Sequence, residues 1–119
     1  MKILLVDDNP IFLEELKNLL EAGGATEIYT AQKGREAREK ATCFAPDAVL
    51  MDAEMHPFFG AETARLLLQK DSCVKIILLL ERPVDVEQLE CCGAIGFLDK
   101  NMDAKVLFEL LRRMERNGP

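Results

Sequence analysis

Apolar residues fall along this chain in two rhythms. Short unbroken runs, Ile3-Leu4-Leu5-Val6, Ala48-Val49-Leu50-Met51 and Val74 to Leu80, are what strands covered on both faces require. Between these runs, apolar positions recur at helical spacing. The sets are Ile11, Phe12, Leu16, Leu19 and Leu20; Ala37, Ala41 and Phe44; Ala64, Leu67 and Leu68; and Val106, Leu107, Leu110, Leu111 and Met114.

Local signals set the boundaries. Asn9 is an N-cap residue and Pro10 a first helical residue, while Gly23-Gly24 ends that helix. A weaker strand covers Glu27 to Thr30, Lys33-Gly34 opens a second helix, and Pro46 closes the connection to the Ala48 strand. Pro57 and Gly60 mark a loop before a third helix from about Ala61 to Lys70. Val74 to Leu80, the most apolar run, is expected to be central in the sheet. Pro83 can begin a fourth helix through about Cys92, closed by Gly93; Ile95 to Leu98 forms a fifth strand, and a final helix runs from about Asp103 to Arg116.

Five strands alternating with five helices imply a parallel sheet with helices on both sides, because each crossover is right-handed and must cover the sheet. With no composition shift, linker or repeat, residues 1–119 read as a single domain, and Asn117-Gly118-Pro119 as a frayed end or a cut before further chain.

Charge narrows the partners. A formal net charge of -6 and an isoelectric point near 4.8 argue against direct binding to nucleic acid or to an anionic membrane. No apolar run approaches the roughly 20 residues of a membrane span, and Met1-Lys2-Ile3 enters a strand without a signal-peptide layout, so a cytoplasmic location is expected. Cys43, Cys73, Cys91 and Cys92 lack zinc-site spacing and are expected to be small buried hydrophobes; His56, the one histidine, is expected to be solvated in a loop.

The strand ends carry the chemistry. The first apolar run stops at Asp7-Asp8, the third strand at Asp52, and the fifth at Asp99-Lys100. A carboxylate at such a place is expected outside the core, at the carboxyl edge where open α/β sheets gather ligands. Like charges this close raise one another's pKa unless a cation offsets them, and Mg2+, which prefers carboxylate and carbonyl oxygens, suits the set. Lys100 beside the acids is either a plain neutraliser or the binder of an anion that arrives on Asp52.

Three motifs together, LLVDDN at Leu4 to Asn9, LMDAEM at Leu50 to Met55 with Gly60 beyond it, and GAIGFLDK at Gly93 to Lys100, resemble the response-regulator receiver domain of bacterial two-component signalling over essentially the whole chain. The resemblance implies a flavodoxin-like sheet of order 2-1-3-4-5. It implies Asp52 as phosphoacceptor, Asp8 and Asp52 as direct Mg2+ ligands, Asp7 as a ligand through water, the backbone carbonyl of Glu54 as a further ligand, and Lys100 on the phosphoryl group. The donor would be a sensor histidine kinase or phosphotransfer protein. The domain would catalyse only its own phosphorylation and dephosphorylation, and would signal through the face of its fourth helix, fifth strand and fifth helix to a downstream output domain or protein, with a homodimer also open.

The chain departs from that family at the switch. Relatives place Ser or Thr at the end of the fourth strand, but no hydroxyl residue lies between Cys73 and Lys100, and Leu80 takes that place. Phe97 stands at the aromatic switch position without a phenol, and His56 where many relatives have proline. Two other functions stay open: a phosphorylation-independent interaction module, and an aspartate-nucleophile phosphatase suggested by Asp52-Ala53-Glu54. Against the phosphatase stand the lack of a cap domain, little room for a substrate pocket, and glutamate (Glu54) rather than a second acid-base aspartate two residues after the nucleophile.

Overall fold

The computed structural model describes residues 1–24, 27–54, 60–71, 73–81 and 93–114. Five strands, β1 (Lys2–Val6), β2 (Glu27–Ala31), β3 (Ala48–Asp52), β4 (Lys75–Leu80) and β5 (Gly96–Asp99), form one parallel sheet in the order β2-β1-β3-β4-β5. Four helices are described: α1 (Pro10–Ala22), α2 (Gly34–Phe44), α3 (Gly60–Lys70) and α4 (Ala104–Arg113), the last being the final helix of the sequence. The helix expected from Pro83 to about Cys92 lies outside the described residues, as do His56, Pro57, Cys91 and Cys92.

The period of two along each strand sorts side chains into two layers. Leu4, Val6, Val49, Met51, Ile76 and Leu78 face α2 and α3, where Ala37, Ala64 and Leu67 complete a buried cluster. Ile3, Leu5, Ala48, Leu50, Ile77 and Leu79 face the other way, against Leu13, Leu16 and Leu20 of α1 and Leu107 and Leu111 of α4. Because both faces are covered, β1, β3 and β4 read as unbroken apolar runs. β4 is not central: it lies between β3 and β5, and β3 occupies the middle. Its four residues Ile76 to Leu79 are nonetheless buried on both sides, which is what its composition encodes.

Several positions expected inward are not. Val106 is 48% exposed, because the stripe of α4 that meets the sheet is Leu107, Leu111 and Met114, one step of rotation away. Ile11 is 69% and Leu19 37% exposed, since α1 buries Leu13, Leu16 and Leu20. Phe44 ends α2 at the surface and stacks on Tyr29 of the edge strand β2, ring centroids 4.0 Å apart and planes within 10°. Cys43 and Cys73 are exposed, against the expectation of buried thiols. Cys43 sits on the last turn of α2, whose sheet-facing stripe ends at Ala41, and Cys73 sits in the turn before β4.

Candidate functional site

Parallel pairing brings the acids together. Val6 lies opposite Met51 in the β1–β3 register, so the next residues, Asp7 and Asp52, leave the sheet side by side. Each is fixed by the same local device, a carboxylate oxygen that accepts the N–H two residues on. Asp7 Oδ1 accepts from Asn9 N at 2.9 Å, and Asp52 Oδ1 from Glu54 N at 3.0 Å. Asp99 Oδ1 does the same for Asn101 N at 2.8 Å, at the end of β5. At the first two of these strand ends the second oxygen remains to face the crevice.

Lys100 fills that space from the β5 side. Its backbone N donates to Leu80 O at 2.8 Å, which anchors it beyond the end of β4. Its Nζ lies 2.7 Å from Asp7 Oδ2 and 3.5 Å from Asp52 Oδ2, with its side chain only 11% exposed. It also stands over the Phe12 ring, 4.8 Å from the centroid. Phe12 is on the first turn of α1, which Asn9 caps by accepting from Ile11 N at 3.0 Å and Phe12 N at 3.4 Å. Asp7 thus holds the lysine with one oxygen and the start of α1 with the other.

Asp7, Asp8 and Asp52 each offer a carboxylate oxygen, and the three oxygens lie within 4.8 Å of one another. Asp8 is exposed, but Asp7 is 1% and Asp52 6% exposed, so the expectation that an acid at a strand end stays out of the core is corrected for both. The backbone N–H bonds and the Lys100 ammonium make that burial tolerable. Burial pushes the Asp52 carboxyl above the usual range, aided by the charges of Asp7 and Asp8 and opposed by the Glu54 N–H and by Lys100. For Lys100 burial acts downward, but the contact with Asp7 and the charges of Asp52, Asp7 and Glu81 outweigh it and raise the ammonium's pKa. Asp7 Oδ2 is buried, and the Lys100 ammonium at 2.7 Å is its charge partner. A hard divalent cation that keeps waters fits such a set of oxygens.

The two expected switch positions sit beside this crevice. Leu80 and Phe97 are half-buried and pack on the same cluster, on the α2 and α3 side of the sheet, with Leu78 opposite Phe97 and Leu80 opposite Asp99. The part of Phe12 in the site was not read from the sequence, where it counted only as an apolar helix position. Its signal was there in principle, four residues beyond the second acid and one turn into a capped helix.

Residues 3–112 match the family model of the response regulator receiver domain, and the chain belongs to that family. Among curated relatives, the transcriptional regulatory protein LnrK of Bacillus subtilis is 34% identical over 99% of this chain and 55% of its own length. A protein-glutamate methylesterase/protein-glutamine glutaminase of Pseudomonas aeruginosa is 31% identical over 87% of this chain and 29% of its own length. The solved structure of the Vibrio cholerae chemotaxis protein CheY4 superposes with a TM-score of 0.86 at 26% identity, covering 96% of this chain and 98% of that one. A receiver domain from Clostridium thermocellum gives the same TM-score of 0.86 at 27% identity, over 95% and 92% of the two chains. The chain spans about half the length of the first curated relatives it matches, at 55% and 51%. No described helix is long and apolar enough to cross a membrane.

Proposed function

We propose that this receiver domain takes a phosphoryl group onto Asp52 from a phosphohistidine on a sensor kinase or phosphotransfer protein. The observation that carries this reading is the convergence of Asp7, Asp8 and Asp52, their oxygens within 4.8 Å, with Lys100 Nζ on Asp7 and Asp52. In the reaction an Asp52 carboxylate oxygen forms the new O–P bond as the P–N bond to the donor breaks, and the leaving imidazole nitrogen keeps the electron pair. Glu54 N and Lys100 fix the carboxylate's orientation, so the chain's contribution is positioning and charge balance. Mg2+ would be held by Asp8 and Asp52, by Asp7 through water, and by the Glu54 carbonyl; when bound, it offsets the charge of the transferring group. Lys100 would follow the phosphoryl oxygens.

On this reading the chain acts on no other substrate, and its output passes through the face that includes β5 and α4. Ile95 at 53% and Val106 at 48% exposed give that face apolar contacts for a partner or a second copy. Any effector activity would lie in a downstream output domain or protein.

The test is intact mass after incubation with acetyl phosphate and Mg2+, wild type against Asp52→Ala. Addition of one phosphoryl group to the wild type alone is expected. Addition to both would place the acceptor elsewhere, and addition to neither would remove phosphorylation from the domain's function.

A further inference from the structure

We infer that Phe12 is a positioning residue for Lys100, holding the ammonium in the crevice through the face of its ring. This rests on the phosphoacceptor reading of Asp52 and extends it to a residue outside the acid and lysine set. The ring centroid lies 4.8 Å from Lys100 Nζ, inside the range in which an aromatic quadrupole attracts a cation. An ammonium has three N–H donors. Asp7 takes the shortest contact at 2.7 Å and Asp52 a longer one at 3.5 Å, and the ring lies close by.

The choice of partner matters to the chemistry. A third carboxylate would hold the lysine equally well, but its charge would repel an incoming phosphoryl group and neutralise the cation meant for it. A ring attracts the ammonium without adding formal charge. The ring therefore adds a contact without adding to the negative charge of Asp7 and Asp52 that already faces Lys100, in a site where the lysine side chain is 11% exposed and electrostatic contacts are little screened.

Phe12 is well supported for this. Asn9 caps the first turn of α1, Pro10 sets its entry, and Asp7 fixes the Asn9 backbone, so the residue that pairs with the lysine also fixes the turn that carries the ring. Phe12 also packs, half-buried, against the cluster of Leu13, Leu16 and Leu20, so a test of the ring's charge distribution is needed to separate its hold on Lys100 from its share in packing.

The experiment uses the whole chain with Phe12 as wild type, Phe12→Leu and Phe12→Tyr, together with mono-, di- and trifluorinated phenylalanine at the same position. Fluorine leaves the ring's shape nearly unchanged and progressively weakens its negative face. The first readout is the NMR shift of the Lys100 ε-methylene protons, expected upfield in the wild type and back at the ordinary value in Phe12→Leu. The second is the rate of phosphoryl transfer from phosphoramidate with Mg2+, alongside Mg2+ affinity. The rate should fall about two- to fivefold in Phe12→Leu, fall stepwise with fluorination and return in Phe12→Tyr, while Mg2+ affinity stays constant. A role in packing alone would not follow the fluorine series. A flat series in a wild type that accepts phosphate overturns the inference and leaves the Asp52 reading standing, as does an unshifted Lys100 methylene. A wild type that takes no phosphate overturns the Asp52 reading; the ring contact then stands or falls on the methylene shift and its loss in Phe12→Leu.

Discussion

Two neighbouring stretches of the same sheet edge are built from opposite materials. Where β1 and β3 end, the chain buries Asp7 and Asp52 to 1% and 6% exposure and sets Lys100 between them. Where β4 ends beside β5, the buried residues are Leu78 and Leu79, with Leu80 and Phe97 closing the corner. The first stretch costs stability, because desolvated carboxylates repel one another; the second contributes it through apolar burial. The difference teaches that substitutions a few ångströms apart should change stability in opposite directions.

The largest effect belongs to the apolar corner. Leu78 is fully buried opposite Phe97, and Leu78→Ala should destabilise the fold by about 2–5 kcal/mol in urea unfolding. A loss under 1 kcal/mol would mean that the corner collapses readily around the missing side chain. Lys100→Met comes next and tests the other stretch. It leaves Asp7 and Asp52 without their cation, at a cost of up to about 3 kcal/mol. Millimolar Mg2+ should recover more stability in this variant than in the wild type, as seen in paired melting curves. Equal recovery in both would show that the lysine does not share the acids' charge with the metal.

Asp52→Asn should go the other way. Removing one of three crowded charges while keeping an oxygen that can accept from Glu54 N should stabilise the metal-free domain, on the order of 1 kcal/mol. The sign depends on pH. The folded-state pKa of Asp52 is raised, so its protonated form favours the native state; that contribution is full below the ordinary carboxylate pKa and is lost as pH rises through the raised value. The advantage of Asn over Asp should therefore be absent in acid and develop on going to neutral pH. Mg2+ should narrow it, since the metal relieves the wild type's repulsion and finds a poorer site in the variant. A variant that is less stable than wild type at neutral pH without metal would show that Lys100 already overcompensates the acids.

Much of this arrangement could be read from the chain because two periods and a few capping residues encode it locally. Asn9 and Pro10 start α1 as their chemistry requires, Gly23 ends it, and the runs at Ile3, Ala48 and Ile76 are strands buried on both faces. The acid cluster with Lys100 was legible too, since a parallel sheet collects the carboxyl ends of its strands at one edge. What escaped depends on rotation or on distance in three dimensions. Val106 and Leu107 are adjacent in sequence and about 100° apart around α4, so a stripe of five apolar residues could not say which one faces the sheet. Apolarity alone put β4 at the centre, where it lies one strand off; the order 2-1-3-4-5, which the sheet has, came from the motifs' resemblance to the receiver family. Phe12 and Lys100 meet only through tertiary folding, which no local pattern reports.

The smallest predicted effect bears on the boundary between the two stretches. Leu80 is half-buried at the last position of β4, and its carbonyl takes the Lys100 N–H at 2.8 Å, so the apolar corner directly supports the lysine of the acid crevice. Leu80→Thr keeps that backbone bond, introduces a β-branched side chain that suits a strand and gives up part of one side chain's burial, so it should cost less than about 1 kcal/mol. Transfer of a phosphoryl group to Asp52 should proceed at the wild-type level, because the acids and Lys100 are untouched. The new hydroxyl, however, offers a phosphoryl oxygen a contact that leucine cannot make, and a ligand shifts an equilibrium only through such differential contacts. Hydrogen exchange across β4 and β5 should then respond to phosphorylation more strongly in Leu80→Thr than in the wild type. An equal response in both would mean that the corner already moves with the crevice, and that its leucine is no barrier between them.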